Sequence, residues 1–183
     1  MFLVTFYVFL RRRASQISLD TVIVWDNFPS MSKNIDDLDR AILNQLQRDA
    51  SLSVDVLAER VHLSRNACWR RVKRLEADGI LRKRVALLDP EALGMGLQVF
   101  VLIRTGTHSK DWLKTFRAAV IEMPEIVSAQ RMSGDLDYVL RVRVADVAAY
   151  DRFYQRLIDK VAIADVSASF VMEDIKDTTA LPI

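Results

Sequence analysis

The residues best suited to act on a partner lie between Ser64 and Gly79, in the run SRNACWRRVKRLEADG. Stepping 100° per residue places Asn66, Arg70 and Lys73 on one helical face, Trp69 and Arg74 at its edges, and Cys68, Val72 and Leu75 opposite. An Arg pairs with guanine and an Asn with adenine, so Asn66 and Arg70 are candidates for base edges in a duplex groove, with Lys73 beside them. Ser64, Arg65, Arg71 and Arg74 suit phosphate oxygens, which position a reader without carrying sequence information. Trp69 suits half-burial or packing on sugar and backbone. On their own, such charges more often describe a solvated amphipathic surface, so the flanking elements decide.

No other pattern competes. His62 and His108 have no Cys or acid at zinc spacing, so no metal site is expected. Asp135 and Asp137 make a poor catalytic pair, and no nucleophile elbow, P-loop or dinucleotide fingerprint occurs, so the chain reads as a non-enzyme without a cofactor. Cys68, the single cysteine, falls on the apolar face and reads as a small buried hydrophobe rather than a redox sensor. One cysteine forms no internal disulfide, which points to a reducing, cytoplasmic compartment.

The elements that must position Asn66 and Arg70 can be read around them. Ser64 is a favourable N-cap and Asp78-Gly79 a helix stop, which together bound a helix of about four turns. Upstream, Leu38, Ile42, Leu43 and Leu46 recur on one helix face behind the acids Asp36, Asp37 and Asp39, which suit the dipole of a first turn. Val54, Leu57, Ala58 and Val61 form a shorter apolar face, with Ala58 where two helices approach. A short helix, a tight turn at His62-Leu63 and a longer basic helix make a helix-turn-helix, spanning about Val54 to Lys73, whose last helix enters the major groove. Ile80-Leu81 can pack back on this core, and Arg82, Lys83 and Arg84 can either touch phosphates flanking the helix or form a solvated linker, the phosphate contact having the edge.

Charge is divided along the chain. Net charge is only +2, but residues 64–84 hold eight Lys/Arg against two acids, whereas residues 85–183 hold eleven Lys/Arg against fourteen acids. A basic patch joined to an acidic remainder is the footprint of a polyanion binder with a second module. Val85-Ala86-Leu87-Leu88 before Asp89-Pro90 reads as a linking strand and hinge over 85–96.

Residues 1–30 do not match the rest. MFLVTFYVFL followed by Arg11-Arg12-Arg13 has its charge after the apolar run, unlike a signal peptide, and is too short to span a bilayer. The expectation is a non-family extension with translation starting at Met31; the alternative is a short interfacial anchor.

From Leu97 the pattern changes. LQVFVLIRT reads as a buried strand. Trp112, Leu113, Phe116, Val120 and Met123 mark a helix, and Ile126 to Met132 and Tyr138 to Val144 mark strands around a Gly134-Asp135 turn. Val147, Tyr150, Tyr154, Leu157 and Val161 mark a second helix, and Val166 to Met172 a last strand. The order β-α-β-β-α-β folds as a ferredoxin-like sandwich, so the class is α+β. With both helices on one side of the sheet, the other face needs a partner, and dimerisation is expected. The expected division is 31–84 for DNA binding, 85–96 for the link, and 97–183 for effector binding and oligomerisation.

IDDLDRAILNQLQRDA, LSRNACWRRVKRLEADGIL, VALLDPEALG, MSGDLDYVLRV and SFVMEDIKDTTALPI occur together in an order and spacing that resemble the Lrp/AsnC family of leucine-responsive and asparagine-synthesis regulators. The likeness covers about residues 33–183, and within it ACWRRVKRLE and the TALPI ending are similar to a cysteine-responsive subgroup. The resemblance implies a cytoplasmic, nucleoid-associated transcription regulator that binds double-stranded DNA, with homodimers assembling to an octamer and a small amino-acid effector held between dimers. It also implies an effector site at Met132, Ser133, Gly134, Asp135, Leu136, Asp137 and Tyr138, with Ser167 and Ser169 across the interface. Backbone N–H groups at a Gly turn can hold a carboxylate and an Asp an α-ammonium; a plain turn would need the same Gly and Asp for its backbone. Two other classes fit the same elements: a low-specificity architectural DNA-wrapping protein, and a metabolite-binding module or enzyme of ferredoxin-like fold, in which the cationic helix has no role.

Overall fold

The computed structural model describes residues 35–183, so the expectation for residues 1–30 lies outside the described residues. Three helices come first: α1 (Asp37–Arg48), α2 (Val54–Arg60) and α3 (Arg65–Ala77). Each starts on an oxygen-bearing cap, Asp36, Ser53 and Ser64, whose side chain accepts a backbone N–H of the first turn. Their apolar stripes meet in one core of Ile42, Leu43, Leu46, Leu57, Ala58, Val61, Cys68, Val72 and Leu75, and Ile80 and Leu81 pack back on it as expected.

Residues 82–89 are neither helix nor strand, which corrects the expectation of a linking strand. The reason is a missing neighbour: the four strands of the sheet pair among themselves, and Val85, Leu87 and Leu88 stand exposed. A turn held by Asp89, whose carboxylate accepts the N–H groups of Glu91 and Ala92, then leads into the second unit.

That unit runs β1 (Leu97–Arg104), α4 (Lys110–Glu122), β2 (Ile126–Arg131), β3 (Tyr138–Val144), α5 (Val147–Lys160) and β4 (Asp165–Phe170). The strands form one antiparallel sheet in the order β2-β3-β1-β4. This is the βαββαβ sandwich that the periodicity predicts. Val99, Val101 and Ile103 of β1 and Tyr138, Leu140, Val142 and Val144 of β3 face the helices, and in β3 they alternate with half-buried residues as in a two-faced strand. Phe100, Leu102 and Val139 lie on the opposite face, in register across β3-β1-β4 with Ser169 and Ser167.

The expected stripe of α5 needs correcting. Phe153, not among the marker residues, is wholly buried at the centre of the core, whereas Val147 is 62% exposed at the first turn. Leu157 and Val161 continue the Phe153 stripe at a spacing of four.

After β4 the chain returns to α1. Asp174 meets Gln98 and Arg143, and Gln47 both donates to the Leu181 carbonyl and accepts from its N–H, while Asn44 donates to the Ile183 carbonyl. Among the described residues no helix is long and apolar enough to cross a membrane.

Candidate nucleic-acid interface and ligand loop

The exposed side of α3 owes its position to the tight turn before it. His62 takes a left-handed conformation, φ +54°, and Leu63 donates to the Ala58 carbonyl, turning the chain between α2 and α3 within four residues. Ser64 then caps α3 by accepting from the Ala67 N–H at 3.3 Å. Asp78 ends the 13-residue helix, and Gly79 follows at φ +69°, where a side chain would strain the backbone.

With Cys68, Val72 and Leu75 buried, Asn66, Arg70 and Lys73 stand on the solvent side, and Trp69 beside them is 51% exposed. Burial pushes the Cys68 thiol above its ordinary 9.0, away from the reactive thiolate. The cations of this region fall into groups by what holds them. Arg65 pairs with Asp55 at 2.9 Å and Lys73 with Glu76 at 2.8 Å, both pairs well exposed and weak in water. Arg84 reaches Glu76 only at 3.7 Å. Arg70, Arg82 and Lys83 take no part in these pairs and stand exposed.

Arg71 and Arg74, expected at phosphates, turn instead toward α1. Arg71 Nη1 donates to Asp36 Oδ2 at 2.7 Å and Asp39 Oδ1 at 2.9 Å, and Arg74 Nη2 donates to Asp39 Oδ2. The two acids also cap each other's backbone: Asp39 N–H donates to Asp36 Oδ1 at 2.8 Å and Asp36 N–H to Asp39 Oδ2 at 3.2 Å. The Asp39 N–H first, and the Arg71 guanidinium second, hold the Asp36 carboxyl below its ordinary 3.8. Asp36 and Asp39 in turn raise Arg71.

The loop between β2 and β3 is a tied turn. Met132 N–H donates to the Asp137 carbonyl at 2.8 Å, and Asp137 N–H to the Ile103 carbonyl at 3.0 Å. Gly134 sits at φ +111°. The Asp137 carboxylate accepts the Thr105 N–H at 2.8 Å and faces His108 at 3.8 Å, so its first duty is to fasten the end of β1. Asp135 and Ser133 are exposed, and Leu136 is half-buried. Arg104 braces the loop, donating to the Asp135 carbonyl at 2.9 Å and to Asp165 of β4 at 2.7 Å.

Three of the expected site residues have their side chains elsewhere within the chain. The Tyr138 ring is on the helix side of the sheet, 4.5 Å from Phe116 and 5.7 Å from Trp112 between centroids, so its side chain belongs to the core. Ser167 and Ser169 are on the open sheet face of β4, separated from β3 by the whole of β1. Asp39 and Arg104 were not anticipated. The D-x-x-D spacing of Asp36 and Asp39 is a capping-box signal that could have exposed the first; no sequence signal marks the second.

Known proteins agree with both halves of this arrangement. Residues 35–82 match a winged helix-turn-helix DNA-binding model, and residues 98–181 match the Lrp/AsnC ligand binding domain. The chain is 53% identical over 150 residues to the DNA-binding transcriptional activator DecR of Escherichia coli K12, covering 81% of this chain and 99% of DecR. An AsnC family transcriptional regulator from Agrobacterium tumefaciens superposes with a TM-score of 0.78 at 55% identity, over 81% of this chain and 97% of that one. A Neisseria meningitidis transcriptional regulator in complex with L-Met superposes with a TM-score of 0.78 at 38% identity and the same coverage. With the helix-turn-helix and the βαββαβ sheet in the order these proteins share, the chain belongs to the Lrp/AsnC family of DNA-binding transcriptional regulators.

Proposed function

We propose that α3 is the reading helix, with Asn66 and Arg70 at base edges, Lys73 in the groove, Ser64 and Arg65 at phosphates, and Trp69 against sugar and backbone. The observation that carries this is the exposed Arg70 beside the exposed Asn66 on the solvent side of a capped helix whose opposite face is locked in the core. Arg71 and Arg74 stand apart from this set because Asp36 and Asp39 engage them. Arg82 and Lys83 extend the basic surface toward flanking phosphates.

The response is to a small amino acid held by the loop Met132 to Asp137. The Gly134 turn offers N–H groups to a carboxylate, and Asp135, whose side chain is exposed, is better placed than Asp137 to meet an ammonium. The L-Met complex of the Neisseria relative supports an amino-acid ligand, and the likeness to the cysteine-responsive subgroup makes cysteine the first to test. The open sheet face, with Phe100 and its half-buried neighbours Leu102 and Val139, supports pairing of two copies, and further assembly to an octamer would bring loops from different dimers together. Ser167 and Ser169, remote from the loop within one chain, would then act only across such an interface. Effector binding would favour one assembly and so select which half-site spacings fit, on cytoplasmic, nucleoid-associated DNA.

The test is a mobility shift with the DNA upstream of the protein's own coding sequence at low salt, repeated with each of the twenty amino acids and paired with thermal-shift measurements. A shift whose midpoint moves with the amino acid that raises the melting temperature is expected. No shift under any condition would end the DNA-reading proposal, and a shift indifferent to all twenty would end the effector proposal.

A further inference from the structure

Arg71 and Arg74 lie three residues apart on α3, and both guanidinium groups converge on one carboxylate of α1. Asp39 is wholly buried, although it lies in the first turn of its helix. A buried carboxylate is tolerated only when paired. Here Oδ1 receives Arg71 at 2.9 Å, while Oδ2 receives Arg74 and the Asp36 N–H, leaving neither oxygen without a donor. Arg71 also reaches Asp36 at 2.7 Å, tying the same guanidinium to the cap of α1.

The apolar stripe of Cys68, Val72 and Leu75 holds α3 against the core, but apolar contact is non-directional and tolerates small rotations of a helix about its axis. Charge-assisted hydrogen bonds from a planar guanidinium to a fixed carboxylate do not. Two of them, nearly one turn apart, fix both the rotation and the slide of α3 relative to α1.

We infer that Asp39 is a positioning residue for DNA reading: through Arg71 and Arg74 it sets the angle at which Asn66 and Arg70 face outward, and these two arginines commit their charge to α1 rather than to phosphates. The inference rests on α3 being the reading helix.

Salt dependence separates the two roles of an arginine, because each phosphate contact contributes about 0.9 to the slope of log affinity against log salt. The full chain and its Arg71→Gln, Arg74→Gln, Arg74→Lys and Asp39→Asn variants are titrated between about 50 and 200 mM salt. One probe is a duplex selected from a random library by the unaltered protein, and the other is a random-sequence duplex. All four variants are expected to keep the slope and to bind the selected duplex about tenfold more weakly, the size of one lost base contact. Arg74→Lys is expected to fail like Arg74→Gln, since a lysine keeps the charge without the fork. Asp39→Asn combined with Arg71→Gln should bind no more weakly than either alone, because both act at one node.

A slope lower by about 0.9 for each arginine removed, with Arg74→Lys behaving as unaltered, would make them phosphate contacts and overturn the inference. If Asp39→Asn does not fold, the Arg74 pair decides alone, since Arg71 still holds Asp39 in both. Failure of the unaltered protein to bind any duplex would instead overturn the reading role of α3.

Discussion

Replacing Cys68 by alanine and by serine separates a core role from a sensing role. The side chain is wholly buried among the residues where α3 meets the other two helices. Alanine removes one heavy atom and costs about 1 kcal/mol in lost transfer and packing. Serine keeps the size but buries a hydroxyl, which costs about 1–3 kcal/mol without a partner. A bond back to the Ser64 carbonyl, which already accepts the residue 68 N–H, would offset part of that. The expected order of melting temperature is therefore cysteine, then alanine, then serine, with losses of several degrees at roughly 4–8 °C per kcal/mol for a small domain. Affinity for duplex DNA at a temperature where all three are folded should be unchanged. Labelling with a chromogenic disulfide reagent should be slow in the native protein and fast on unfolding, because burial raises the thiol as well as hiding it. Native labelling at the rate of a free thiol, or a serine variant of undiminished stability that loses its ligand response, would refute the core assignment.

Two further outcomes follow from the turn and cap geometry. His62 occupies a left-handed conformation at a cost of roughly 1–2 kcal/mol for an L-residue; His62→Gly relieves it and returns part as unfolded-chain entropy, so urea unfolding should show a net gain of about 0.5–1 kcal/mol. The Asp36 carboxyl, held below 3.8 by the Asp39 N–H and by Arg71, contributes stability that is present above its unfolded value and lost as pH falls through its folded value. Circular dichroism melts should therefore show the loss beginning below about pH 4, and Asp36→Asn should weaken that acid dependence while lowering stability at neutral pH.

Local signals were the legible ones. Ser64, Asp78-Gly79 and the stripe Cys68-Val72-Leu75 gave α3 both ends and its buried face, because caps and a 3.6-residue period are written in neighbouring residues. The βαββαβ order was legible for the same reason. Long-range geometry was not. Phe153 was missed because the aromatic residues of α5 leave two overlapping stripes, and only the docked sheet selects the one through Phe153 and Leu157. Val85 to Leu88 have strand composition, yet a strand needs a neighbour, and the described residues supply none. Tyr138 adjoins the loop in sequence, but the alternation of β3 turns its ring to the helices. The partners of Arg71 and Arg74 lie more than thirty residues away on α1, so no period within α3 could distinguish them from Arg70.

The most direct measurement is the affinity of Arg70→Ala for two duplexes, one selected from a random library by the unaltered protein and one of random sequence. If Arg70 reads a base from the exposed face of α3, the selected duplex should lose about 1–3 kcal/mol of binding and the random duplex clearly less. Equal losses on both would reduce Arg70 to a phosphate contact, and no loss on either would remove α3 from the DNA interface.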